Sequence, residues 1–247
     1  NYALRGGPAL RLDRSLGWGG NINTNRRKKI YFGLNWTLGR AERDAVRFRI
    51  IGGSITAQPI NALNISLRPS LRHITRQLQY VENIDFQNET TYLMGSLDQH
   101  TFSLTTRLNY NITPDLTIQY YGQPFISRGR YFDYKRIVAP LERRIEDRFD
   151  LVDIVSTEDD VLQIDETKDG VADYEINQPD FIFVQFRSNL VARWEYIPGS
   201  ELYLVWSQGT TAFGDPTNDL LPSLGENLFS EQGQNIFLLK WTYRFLR

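Results

Sequence analysis

The 247-residue sequence has no cysteine, one methionine and only two histidines. Without cysteine, neither a disulfide nor a thiolate-held metal is available. The two histidines, His73 and His100, leave little material for imidazole-based catalysis, and no nucleophile elbow or zinc pattern accompanies them. No run of about 18 apolar residues exists, so no transmembrane helix is available. Neither sign of charge predominates, with 28 Lys and Arg against 29 Asp and Glu. That removes the basic field expected of a nucleic-acid binder. Short internal repeats and low-complexity tracts are also missing. The chain opens at Asn1 without a basic-then-apolar leader, so a processed protein or a piece of one is expected.

What the sequence does have is aromatic residues and alternation. There are 13 Tyr, 14 Phe and 5 Trp. From Thr101 to Ile112, Phe102, Leu104, Thr106, Leu108, Tyr110 and Ile112 share one strand face, while Ser103, Thr105, Arg107, Asn109 and Asn111 share the other. Phe181–Tyr196, Ile30–Leu38 and Leu63–Arg72 repeat the pattern. Turn signals separate the runs: Asn25-Arg26-Arg27, Pro59-Ile60-Asn61, Thr113-Pro114-Asp115 and Pro198-Gly199-Ser200. The resulting strands are 7–24, 29–41, 45–58, 62–80, 90–112, 115–135, 179–197, 201–213 and 235–247. No amphipathic helix of useful length is read, beyond a helical turn within 141–150.

This pattern predicts an all-β, up-and-down antiparallel sheet of about nine strands. Two architectures use such strands. A soluble barrel or sandwich buries the apolar face; an outer-membrane barrel turns it to lipid. The polar face carries Arg, Asn, Gln, Thr and Ser, as a wet lumen would. Aromatics gather near strand ends, and Trp241, Tyr243 and Phe245 alternate in the last strand. The transmembrane barrel is therefore the leading expectation, located in the bacterial outer membrane, with the soluble form as its rival. The three C-terminal aromatics resemble an insertion signal, which makes the lipid bilayer and the barrel-assembly machinery the expected partners, other outer-membrane proteins further candidates, and nucleic acid not one. The short turns should face the periplasm, and segments 81–89, 136–178 and 214–234 should form outer loops. Strand parity then makes 1–247 the C-terminal segment of a larger barrel, or leaves another chain to supply the rest.

Particular residues carry a family resemblance. They are Arg5-Gly6-Gly7-Pro8, Leu97-Asp98-Gln99-His100-Thr101-Phe102-Ser103-Leu104, Gly122-Gln123-Pro124-Phe125, Trp194-Glu195-Tyr196, Leu204-Val205-Trp206-Ser207-Gln208-Gly209 and Asn235-Ile236-Phe237-Leu238-Leu239-Lys240. The chain resembles the C-terminal outer-membrane barrel of a domain-of-unknown-function family, in which the barrel follows an N-terminal, family-nine carbohydrate-binding-like domain. The resemblance implies outer-membrane location and such a domain upstream. It brings no catalytic residue.

Three groups of side chains are candidates for chemistry. Arg68, Arg72, Arg107, Arg187, Arg193, Lys240 and Arg244 fall on the polar face, either drawing anions into a lumen or forming a structural ladder with neighbouring amides and carboxylates. Asp165, Thr167, Asp169, Gly170 and Asp173 imitate the opening of a calcium loop, but the twelfth position is Ile176 rather than Glu, so an ordinary acidic loop fits as well. His73 and His100 both fall on the apolar side, where no nucleophile is evident. A transport or anchoring barrel without cofactor is therefore the leading functional reading, and a hydrolytic barrel the alternative.

Overall fold

The computed structural model describes residues 3–230 and 233–245. Its main body is an antiparallel sheet. The chain enters as β1 (Ser15–Asn23), β2 (Ile30–Ala41), β3 (Val46–Ile60), β4 (Leu63–Phe86), β5 (Glu89–Asn111) and β6 (Leu116–Ile137). An interlude follows, holding β7 (Phe149–Leu151), β8 (Asp153–Glu158), β9 (Val161–Asp165) and β10 (Tyr174–Asn177). The sheet then resumes with β11 (Phe181–Ile197) and β12 (Ser200–Gly214), and after helix α1 (Leu220–Ser230) ends on β13 (Gln234–Thr242). The spatial order is β1-β2-β3-β4-β5-β6-β11-β12-β13, every pair antiparallel. The nine strands anticipated from alternation are therefore present in up-and-down order. The sheet is open, with β1 and β13 as its two edges.

Register explains why alternation was so clear. One row of directly opposed residues runs Phe237, Trp206, Leu190, Tyr120, Leu108, Ile65, Ala57 and Ile30 across eight strands. A higher row runs Ala212, Val184, Ile126, Phe102, Leu71, Ile51, Trp36 and Gly20. Because successive side chains point to opposite faces, a slip of one residue in any strand would put its apolar set on the wrong side. Gly20 belongs to this arrangement: a Cβ there would lie 2.6 Å from Trp36 Cζ2, so only glycine lets the indole lie across β1.

The four short turns all close hairpins at one end of the sheet, joining β1 to β2, β3 to β4, β5 to β6 and β11 to β12. The opposite end departs from expectation in four places. Residues 81–86 continue β4 instead of forming a loop, and a two-residue turn at Gln87 and Asn88, both at positive φ, joins β4 to β5. Segment 138–178 is not a bare loop: β8, β9 and β10 form their own sheet. Its Val152, Leu162, Ile164 and Ile176 bury themselves against Leu93 and Tyr134. Helix α1 occupies part of the expected 214–234 loop, and Leu220 and Leu224 pack on Ile126, Ile182, Val184 and Ala212. Finally, the first strand starts only at Ser15, not at residue 7. Residues before it pack by Leu4 and Leu10 against Met94 and by a buried ion pair from Asp13 to Arg148.

Candidate functional site

The sheet offers two unlike faces. The apolar face is largely uncovered: Phe32, Leu34, Ile51, Ile55, Leu71, Trp194, Leu204, Phe237, Leu239 and Trp241 are all exposed. Phe237 is 71% exposed although it ends an apolar row eight strands wide. Helix α1 covers only the uppermost rows of β5, β6, β11 and β12. Small polar residues on the opposite face, Thr56 and Ser66, are buried. Outside the patch under α1, large apolar side chains of this face are thus left uncovered, which a water-soluble sheet avoids.

All the basic candidates on the sheet lie on the polar face, but they do not form one cluster. Near the short-turn end, Arg193 is ion-paired with Glu201 and Glu195, and Lys240 sits 5.6 Å from the Tyr203 ring. Arg244, just past β13, lies against the 198–200 turn, its N–H donating to Ser200 Oγ at 3.0 Å. Arg107 lies over the Tyr121 ring at 5.4 Å. Of these four, Arg193 alone bonds neighbouring carboxylates; Arg107 and Lys240 lie over tyrosine rings, and the Arg244 bond is made by its backbone. Arg68, Arg72 and Arg187 are different: no described residue pairs with their guanidinium groups. Arg68 helps line a cavity of about 440 Å³ on this face, with Asn23, Tyr31, Asn35, Thr56 and Thr105. Alternation also missed a feature here. Val191, Val205 and Leu238 form an apolar strip on the otherwise polar face, visible only once register is known.

The aspartates of the calcium-like segment have other duties. The Asp165 carboxylate accepts from the backbone N–H of Lys168 at 2.5 Å and of Gly170 at 2.7 Å. Asp173 accepts from Glu166 and Thr167, each at 2.8 Å, and Asp169 from Val171 at 2.9 Å. Each carboxylate closes a turn of its own backbone, which supports the ordinary-loop reading. Burial pushes Asp165 up, but the N–H groups of Gly170, Lys168 and Asp169 together hold it below the usual carboxylate value. Beside it, burial and a hydrogen bond to Glu166 push the Tyr174 hydroxyl well above its ordinary value.

The grouping that the sequence did not disclose involves the two histidines. His73 and His100 are directly opposed across β4 and β5, with ring centroids 4.1 Å apart and planes 15° from parallel. Asp98 reaches both, at 2.6 Å from His73 Nε2 and 3.4 Å from His100 Nε2. Among the described residues, no hydroxyl side chain is hydrogen-bonded to either ring. They sit one row above Phe102 and Leu71, beside Arg49 and Arg128.

Such a sheet, with hairpin order, an exposed apolar face and an arginine-bearing face, defines an all-β antiparallel protein. Residues 2–246 match the family described as a domain of unknown function, DUF5916, and the chain belongs to that family. No curated protein and no solved structure matches it. Membership agrees with the domain-of-unknown-function resemblance; it says nothing of a barrel or of a domain upstream.

Proposed function

We propose that this chain is a section of the wall of a bacterial outer-membrane β-barrel whose arginine-bearing face lines an aqueous passage for anionic solutes. The uncovered apolar face carries the reading, because an apolar area of this extent left in water marks an interaction surface. Its height suits a bilayer. Below the helix, the uncovered apolar side of β11 runs from Phe186 to Trp194, eight residue steps. At about 3.4 Å per step and a tilt of about 40–45°, that is roughly 20 Å, within a few ångströms of the roughly 25 Å lipid-facing band of such barrels. Trp194, Trp241 and Tyr243 lie at its lower rim, where amphipathic rings favour the interface. Trp241, Tyr243 and Phe245 are exposed, as a recognition signal for assembly machinery must be.

Within the wall, Arg68, Arg72, Arg107 and Arg187 have no carboxylate partner among the described residues and supply the charge, whereas Arg193 and Glu201 largely neutralise each other. In a narrow polar passage unpaired cations raise the local anion concentration. Segment 138–178 packs on Val81, Ile84, Leu93, Tyr131 and Tyr134, beyond the apolar rows, which favours an outer cap over a plug at mid-height. Edge backbone groups cannot stay unpaired in hydrocarbon, so the reading requires additional strands, or another copy, to pair with β1 and β13.

The test is single-channel conductance of the full-length protein in a planar bilayer. Anion-preferring conductance that falls when Arg68, Arg72 and Arg187 become glutamine supports the passage. Inserted, folded protein without conductance overturns the passage and leaves a membrane anchor within an envelope assembly. Release from membranes by carbonate without detergent overturns the membrane location itself.

A further inference from the structure

We propose that His73, Asp98 and His100 form a site for a divalent transition-metal ion of the zinc class, bridging β4 and β5. The register builds it. Asp98 and His100, two residues apart on β5, share a face, and His73 is the residue directly across from His100. Both imidazoles present Nε2 to the same carboxylate, and three potential ligand atoms lie within 4.8 Å of one another. Around a tetrahedral ion with bonds of about 2.1 Å, ligand atoms stand roughly 3.4 Å apart. The 3.4 Å between His100 Nε2 and Asp98 Oδ2 suits that geometry, and the 2.6 Å between His73 Nε2 and Asp98 Oδ1 needs to open by less than an ångström, with either oxygen free to turn toward the ion.

The donor set selects the ion. Two imidazole nitrogens and one carboxylate oxygen suit zinc and its neighbours rather than calcium or magnesium, which take oxygen. The side chains are 36–38% exposed, so water has access to complete the coordination. Two features set a modest affinity. No described residue accepts a hydrogen bond from either Nδ1, so the rings are not locked by a neighbour. Arg49, opposite His73, and Arg128, opposite His100, add positive charge nearby. A bound ion would clip β4 to β5 just below the bulge between Arg76 and Gln79, where the pairing shifts.

Zinc titration of the folded full-length chain in detergent, by calorimetry, tests this, with cobalt absorption as a second readout of nitrogen ligation. One ion per chain is expected. His73→Ala and His100→Ala should each weaken it about tenfold or more, since loss of even an outer-shell partner costs about 10–100-fold in affinity. Asp98→Asn should weaken it too, and Arg49→Gln, which removes a repelling charge without touching a ligand, should tighten it. Absence of one-to-one binding by the unaltered chain overturns the site. So does binding of equal strength in both histidine variants, each shown to be folded by its circular dichroism.

Discussion

Replacing Arg148 with alanine should detach the chain preceding β1 from the loop that follows β6. Arg148 is 0% exposed. Its guanidinium meets Asp13 through two bonds, Nη1 to Oδ2 at 2.7 Å and Nη2 to Oδ1 at 2.8 Å. It also donates to the carbonyls of Glu142 at 2.8 Å, Arg11 at 3.0 Å and Arg143 at 3.0 Å. Truncation leaves the Asp13 carboxylate, only 6% exposed, without its counter-charge. Breaking one side of such a buried pair costs about 3–5 kcal/mol. Amide exchange of Val138 and Ala139, whose N–H groups bond to the Arg148 carbonyl, reads the local opening. At about 1.4 kcal/mol per decade, their exchange should accelerate by roughly two to three and a half decades. The second substitution Asp13→Asn, made on top of Arg148→Ala, should restore part of the loss, because no buried charge is then stranded. A change below about threefold in the single variant, or no recovery in the double, would refute the argument that stranded charge sets the cost.

Leu224→Ala should loosen α1 from Ile182 and Val184, at about 1–3 kcal/mol for a partly buried leucine, read as faster protease cleavage within 215–230 while the strands stay protected. Gly20→Leu should displace the Trp36 indole and shift its fluorescence; an unchanged spectrum would contradict the placement of Trp36 across β1. Asp165 has a folded value below its unfolded one of about 3.9. The stability it lends is therefore complete above that unfolded value and is lost as pH falls through the lower, folded one. Exchange of the Lys168 and Gly170 amides, corrected for intrinsic rates, should accelerate over that acidic window and not above it.

Most of the main sheet was legible because alternation and turn chemistry agree. Phe102 to Tyr110 and Ile182 to Trp194 fall on the face their spacing indicates, and the four turn clusters fall at one end. What was not legible depends on pairing between distant positions. Asp13 and Arg148 lie 135 residues apart, and neither position differs from an ordinary surface charge in sequence. His73 and His100 were placed on the correct side by parity, but their opposition depends on register, which the bulges and the β4–β5 turn fix together. That turn uses Gln87 and Asn88 without glycine, so it gave no hairpin signal and 81–89 read as a loop. Helix α1 was hidden by Pro222 and Gly225 within a segment of 11 residues. Its tertiary contacts outweigh its weak propensity. In 138–178 the short run Val161–Asp165 is embedded in acidic residues that mask its period.

Nearest-neighbour order has a kinetic consequence. Every strand of the main sheet pairs with the one just before it in the chain, through turns of a few residues, until β6 must meet β11. Closing a hairpin of a few residues sacrifices little chain entropy, so β1 to β6 are suited to join by successive zippering. At β6 the sequence interposes residues 138–180, and growth must wait while a longer stretch of chain is gathered. The separate β8–β9–β10 sheet is paired through local hairpins, so ordering it shortens the free chain between β6 and β11. Loosening the interlude should therefore slow assembly, in addition to the stability lost where Leu93 and Tyr134 are uncovered.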